Sequence, residues 1–195
     1  MDTTLRDGEQ TSGMSFSEYE KLTISKLLLK DLMVDRIEVA SARVSSGEFN
    51  AVKKILDWAK TENLENKVEI LTFIDDGISL DWMKKSGAKI QNLLSKGSLN
   101  HLKYQLKKTP QQHFNDVEKI IQIANKSKIE TNIYLEDWSN GMKNSKDYVF
   151  SYLNFLEKMP IKRVLLPDTL GVLNPEDAYN YLNEIILKYP NIHFD

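Results

Sequence analysis

The chain has 195 residues, 41% of them apolar and 28% charged, with a formal net charge of -2 and no cysteine. That composition belongs to globular chains with a sizeable core, and it excludes both a disulfide framework and a thiolate metal site. No basic face is implied, so nucleic acid is not an expected partner, and no window approaches the roughly 18 apolar residues of a membrane span.

The first residues are polar and no signal peptide is visible, but that carries little weight because the chain is not expected to begin where the protein does; a cytoplasmic protein is the expectation. Asp2-Thr3-Thr4 reads as the continuation of a short apolar strand, of which only Met1 is present. Ser17 to Glu20 is a capping box, and Leu22, Ile24, Leu27, Leu28, Leu29 and Leu32 recur behind it at helical spacing, predicting a helix over 17–32. A strand is predicted over 35–40, a helix over 46–60 with Phe49, Val52, Ile55, Leu56 and Ala59 on one face, and a strand over 67–74. A short helix over 78–86 stops at Gly87, and 89–94 is a further strand. Residues 97–106 read as loop and short helix. Thr109-Pro110-Gln111-Gln112 then opens a helix that runs to Lys126. Strand 129–136, helix 145–158, strand 161–167 and a helix from Asn174-Pro175 to Tyr189 complete the alternation. Residues 191–195 look like a strand beginning.

Strand and helix alternate at a spacing of about 30 residues, the pattern of parallel strands with crossover helices. Two α/β architectures fit, a (β/α)8 TIM barrel and an open doubly wound sheet. No Gly-x-Gly-x-x-Gly follows a strand, which weakens the dinucleotide-binding version of the second. No linker divides the chain, so 1–195 is expected to be one catalytic domain. A barrel of eight units takes roughly 250 residues. The expectation is therefore an incomplete barrel of about six to seven of eight units, truncated at both ends: the tail of one strand, five more, and the start of a seventh.

The stretch Asp2-Thr3-Thr4-Leu5-Arg6-Asp7-Gly8-Glu9-Gln10 is too polar to be buried for packing. It is either a solvated turn around Asp7-Gly8 or a site, since burying charge costs more than it returns unless partners are supplied. Side chains for catalysis in a barrel come from the C-terminal ends of strands. Those ends carry Arg6-Asp7, then Glu38 and Ser41, then Thr72, Asp75 and Asp76, then Ser98, Asn100 and His101, then Glu136-Asp137, and finally Asp168-Thr169. The strand bodies look largely apolar. Glu38 alternates with Ile37 and Val39 and faces opposite to them; if that face is the interior of a barrel, an unpaired carboxylate there is costly. His101, alone, could be an ordinary loop histidine. His113 and His193 read as structural, Asp75-Asp76-Gly77 as a solvated turn, and Glu136, Asp137 or Thr169 could each serve a turn.

The opening string resembles the signature of the metal-dependent acyl-CoA Claisen enzymes, the DRE-TIM metallolyase superfamily that contains 2-isopropylmalate, homocitrate and citramalate synthases. Ile37-Glu38-Val39-Ala40-Ser41-Ala42-Arg43, Leu135-Glu136-Asp137 and Leu166-Pro167-Asp168-Thr169-Leu170-Gly171 resemble its later strand-end motifs. The resemblance implies a condensation of acetyl-CoA, the co-substrate, with a 2-oxo acid on a divalent ion (zinc, magnesium or manganese), followed by thioester hydrolysis. It makes Asp7 a metal ligand and Arg6 the cation that meets the enolate or alkoxide oxygen. Glu136, a catalytic candidate, and Thr169 would contact the oxo acid, and Gln10, Glu38 and His101 would line the cavity. Gly8-Glu9-Gln10 favours the synthases over the superfamily's lyases, and leucine-pathway 2-isopropylmalate synthase is the first expectation, ahead of citramalate and homocitrate synthase and of a 3-hydroxyacyl-CoA lyase. The family completes its metal site with a His-x-His pair just after a segment like His193-Phe194-Asp195. These residues stop before such a pair, so they are expected to be inactive alone, and a homodimer is implied for the full-length enzyme. A truncated barrel that binds a partner through an open sheet edge is the non-enzymatic alternative.

Overall fold

The computed structural model describes residues 1–195. Its five strands form one parallel sheet in chain order, β1-β2-β3-β4-β5, with helices between them. This is the incomplete (β/α) barrel arrangement expected from the alternation, and no helix is long and apolar enough to cross a membrane. The chain divides into two compact units, Met1–Asn92 and Leu93–Asp195.

In the first unit, α1 (Glu18–Lys26) starts at Ser17, whose hydroxyl accepts from the Glu20 amide while the Glu20 carboxylate accepts from the Ser17 amide. Leu27–Asp31 continues it as a π turn. Strand β1 (Ile37–Ser41) pairs in parallel with β2 (Val68–Thr72), with a register irregularity between Glu38 and Ala40. Both strands are buried on both faces, as parallel strands covered by helices are. Between them α2 (Ser46–Thr61) buries Ala51, Val52, Ile55, Leu56 and Ala59 along one stripe. Each large side chain there contributes about 1.5–3 kcal/mol by leaving water. Helix α3 (Ile78–Ser86) ends at Gly87, whose φ of 86° closes the helix in the left-handed conformation.

The expected first strand is shorter than the sequence suggested. Only Asp2 bridges to Ile37, and pairing ends there rather than at Arg6-Asp7. The Asp2 carboxylate accepts from the Thr4 amide and hydroxyl, and the Thr3 carbonyl accepts from the amides of Arg6, Asp7 and Gly8 at 3.0, 2.8 and 3.1 Å. The chain therefore coils at once. Asp75 is not a solvated turn residue either. It caps α3 through the Ser79 amide and hydroxyl, and it accepts from Arg43 at 2.6 Å.

Strand β3 (Ile90–Lys96) spans the boundary of the units. In the second unit it leads through α4 (Leu99–His101) and a π turn (Leu102–Leu106) to α5 (Pro110–Lys126), whose capping box at Thr109 and Gln112 is complete. Strand β4 (Glu130–Glu136) pairs in parallel with β5 (Arg163–Leu165), and Phe194 bridges to Val164 where the further strand was expected to begin. Helix α7 (Lys146–Leu156) packs Tyr152 and Phe155 on Phe114 of α5, with ring centroids 4.9 and 5.1 Å apart and planes within 10° of parallel. The last helix, α8 (Pro175–Lys188), is capped by Asn174.

One helix was not anticipated. α6 (Trp138–Asn144) precedes α7, and the two break at Ser145, where φ is -151° and ψ 47°. Its sequence has no apolar period and contains a glycine. Gly141 is needed there because the helix lies against Gly97: a Cβ built on Gly141 would stand 2.1 Å from the Gly97 carbonyl oxygen. The strand bodies are also less apolar than expected. Glu38, Glu69, Gln91, Asn92, Thr131 and Asn132 are all buried; Thr72 Oγ1 donates to Gln91 Oε1 at 2.8 Å, and Glu38 and Glu69 pair with Arg6 and Arg36.

Candidate active site

The polar opening stretch is a site-like cluster in the first unit rather than a loose turn. The coil after Asp2 carries Arg6 back over β1, where its Nε donates to Glu38 Oε2 and its Nη1 to Asp7 Oδ1 at 2.7 Å. Glu38 is fully buried, on a strand covered on both faces, and its other oxygen accepts from Asn92 Nδ2 at 2.6 Å. Burial pushes the Glu38 carboxyl above the ordinary carboxylate range, and Arg6 and Asn92 pull the other way without cancelling it. The carboxylate thus holds a guanidinium in one orientation, with the planar fork presented as a unit. Gln10 lies beside it on the wall of a cleft of about 290 Å³, together with Leu5, Arg6, Glu9 and Ser41.

Lys21 fixes the floor of that cluster. Its side chain is 1% exposed, and its ammonium lies 2.6 Å from both Glu9 Oε2 and Glu48 Oε1 and donates to the Leu5 carbonyl at 3.2 Å. Glu9 also accepts from the Phe16 amide at 2.8 Å. Asp7 is different: its side chain is 61% exposed, and Arg6 is its ion-pair partner. No group of three or more His, Asp or Glu side chains is arranged to hold a metal ion. One exposed carboxylate does not fit a divalent cation by itself, so a metal centre is not complete within these 195 residues.

The second unit builds its own cluster at the ends of β3 and β4. Glu136 Oε2 takes an ion pair from Lys96, and Lys96 also donates to Gln105 Oε1 at 2.8 Å. Glu136 Oε1 lies 3.9 Å from His101 Nδ1, an atom buried without a hydrogen-bond partner, while His101 Nε2 lies 3.5 Å from Asp137 Oδ2. Asp137 sits in the left-handed region at φ 64° and is 1% exposed. Its carboxylate accepts from Ser98 at 2.6 Å and Asn140 at 2.8 Å, and its amide donates to Thr169 Oγ1 at 2.8 Å. A strained backbone held by three side chains is the kind found where geometry serves a site. Asp168 accepts from Ser139 at 2.6 Å and from the Val172 and Leu173 amides at 3.0 Å. Desolvation raises its carboxyl, but those bonds outweigh it and hold the group below its ordinary range. A cleft of about 410 Å³ opens beside the cluster, lined by Ser98, Leu99, Asn100, Lys103 and Asn140 among others.

The structure thus brings together Arg6, Asp7 and Glu38, with Gln10 alongside. Separately it brings together Glu136 and His101, with Thr169 reached through the Asp137 amide. His113 is structural, as read: it is buried and Nε2 accepts from the Lys96 amide at 3.3 Å, with burial taking its pKa down to about 4. Sequence reasoning passed over Asn92, Lys96 and Lys21. Asn92 had one signal, a polar side chain inside the predicted strand 89–94; Lys96 lay beyond that strand as predicted and is brought in because β3 runs on to it.

The HMGL-like family profile matches residues 1–194. The chain belongs to the HMGL-like family. Among similar curated proteins of this family, a 2-isopropylmalate synthase of Saccharolobus solfataricus is 28% identical over 186 residues, which cover 95% of this chain and 46% of that protein. An (R)-citramalate synthase of Methanocaldococcus jannaschii is 32% identical over 184 residues, covering 94% and 36%. The HMGL-like chain therefore spans under half the length of the curated relatives it matches. Among solved structures, a hydroxymethylglutaryl-CoA lyase from Pseudomonas aeruginosa superimposes with a TM-score of 0.74 at 15% identity, over 100% of this chain and 65% of that one. That likeness is one of fold.

Proposed function

We propose that these residues are the catalytic barrel portion of a 2-oxo acid synthase, a cytoplasmic enzyme that is a homodimer when whole. It condenses acetyl-CoA with a 2-oxo acid and then hydrolyses the thioester. The observation that carries the reading is the Arg6 guanidinium held by the buried Glu38 in the opening motif. A preorganised cation of this kind stabilises the negative oxygen that develops when the acetyl carbon adds to the keto carbon. Glu38 and Asn92 keep that cation in place, so no reorganisation is needed when the charge appears. Asp7 is assigned as one carboxylate ligand of a divalent ion whose other donors these 195 residues do not supply. Such an ion would polarise the keto oxygen. Glu136, His101 and Thr169 are assigned to orienting substrate, and Gln10 to the cavity wall.

The first-choice oxo acid is 3-methyl-2-oxobutanoate, giving 2-isopropylmalate, in keeping with the names of most of the similar curated proteins. The citramalate synthase relative keeps pyruvate as the rival, and 2-oxoglutarate is the third candidate. Between the two apolar acids each methylene is worth only about 1–3 kcal/mol of discrimination, so pocket shape decides, whereas 2-oxoglutarate needs a partner for its second carboxylate. CoA release by the full-length protein with each acid tests the class and the substrate together. In the same assay Arg6→Lys lowers turnover by about 10²–10³, because the guanidinium fork is lost. Near-normal turnover in that variant would refute the role of Arg6, and acetyl-CoA released only by cleavage of a 3-hydroxyacyl-CoA would make the protein a lyase.

A further inference from the structure

Within the second unit, Glu136 is gripped from one side only. Lys96 extends from the last position of β3, its side chain 12% exposed, and places its ammonium on Glu136 Oε2; Gln105 anchors the same ammonium at 2.8 Å. The stem is fixed at its root as well. The Lys96 amide donates to His113 Nε2 at 3.3 Å, and the Lys96 carbonyl accepts from the Tyr148 hydroxyl at 2.7 Å. The remaining oxygen, Oε1, is the one on the His101 side. A part-buried ion pair is poor value as a stabiliser, because desolvation offsets part of the attraction and water screens the rest. What it does supply is a single orientation for a short acidic side chain at a strand end.

We propose that Lys96 is the positioning residue for Glu136. It occupies Oε2 and leaves Oε1 as the one oxygen free to accept a hydrogen bond from a ligand beside His101. This rests on Glu136 contacting substrate, as in the function proposed above. It adds that the contact is with a donor group of the ligand, a hydroxyl or a polarised C–H, and not with its carboxylate, which an ion-paired carboxylate would repel.

Two measurements separate this inference from that function. The first needs no activity. In the 195-residue chain, limiting reductive dimethylation followed by peptide mass spectrometry modifies Lys96 at least tenfold more slowly than the half-exposed Lys54, and Glu136→Gln brings the two rates to within threefold. Equal rates in the unsubstituted chain, or no acceleration by Glu136→Gln, overturn the pairing. The second uses the full-length enzyme with the oxo acid it accepts. Lys96→Met lowers kcat by about 10²-fold while the oxo acid KM changes less than threefold, and Lys96→Arg recovers kcat to within tenfold of the original. If Lys96→Met does not fold, Lys96→Gln, which keeps a donor to Glu136, takes its place and is expected to fall between the two. Unchanged kcat in the Met or Gln variant, or equal loss in Met and Arg, overturns the positioning role. Absence of CoA release by the unsubstituted enzyme with any oxo acid overturns the function, and the labelling result still decides the pairing.

Discussion

Lys21→Met removes the ammonium under the opening motif while keeping an unbranched stem of nearly the same volume. Three groups lose their donor: Glu9 Oε2 and Glu48 Oε1, each 2.6 Å from Nζ, and the Leu5 carbonyl at 3.2 Å. Breaking a buried charge pair by deleting one partner costs about 3–5 kcal/mol, chiefly because the other partner stays buried. Here the two carboxylates are 21% and 15% exposed, so water recovers part of that. The expected loss is about 2–4 kcal/mol. Urea unfolding of the 195-residue chain reads it as a lower midpoint at unchanged slope. The triple variant Glu9→Gln, Lys21→Met, Glu48→Gln should regain most of the loss, since it leaves no unpaired carboxylate. Hydrogen exchange adds a local readout: the Phe16 amide, which donates to Glu9 at 2.8 Å, should lose protection in Lys21→Met before the strands do. A loss below about 1 kcal/mol, or a triple variant no more stable than the single one, would refute the buried-clamp reasoning.

Gly141→Ala forces a Cβ against the Gly97 carbonyl oxygen, 2.1 Å away, and the Val149 methyl at 2.9 Å. The approach is backbone to side chain with nothing flexible to yield, so urea unfolding should show a loss of about 3 kcal/mol, at the upper end of overpacking; unchanged stability would mean the two segments are not in contact. His113 is buried with a pKa of about 4 against an ordinary 6.5, so between those values the unfolded chain binds a proton that the folded chain does not. Its contribution is therefore present above pH 6.5 and lost as pH falls toward 4, by up to about 1.4 kcal/mol per pH unit. His113→Gln should flatten that slope in unfolding measurements across pH 4–6.5, and an unchanged slope assigns the acid sensitivity elsewhere. Asn92→Leu leaves Glu38 Oε1 buried without its donor at 2.6 Å, and should cost about 1–3 kcal/mol in the same assay.

The readable parts of this chain were those whose cause is local. The capping boxes at Ser17 and Thr109 and the helical stripe of α2 each depend on residues within one or two turns, and the structure has them where the sequence places them. Glu38 was legible for a related reason: it lies in a short β-branched strand, and in a parallel strand covered on both faces its carboxylate is buried and demands a partner. What no local pattern carries is the identity of that partner. Arg6 and Asn92 stand 32 and 54 positions away, and Lys96 stands 40 from Glu136. Helix α6 was missed for a similar reason, since its own sequence has no apolar period and its close packing is on Gly97, 44 positions earlier. The two clusters nevertheless follow one rule. In each, a carboxylate on a strand has one oxygen taken by a cation, Arg6 on Glu38 and Lys96 on Glu136, and a neutral side chain from elsewhere completes the set. Charged residues inside predicted parallel strands therefore come in compensating sets. A lysine closing a strand, as Lys96 closes β3, is a reason to look for the acid on the next strand before treating it as surface.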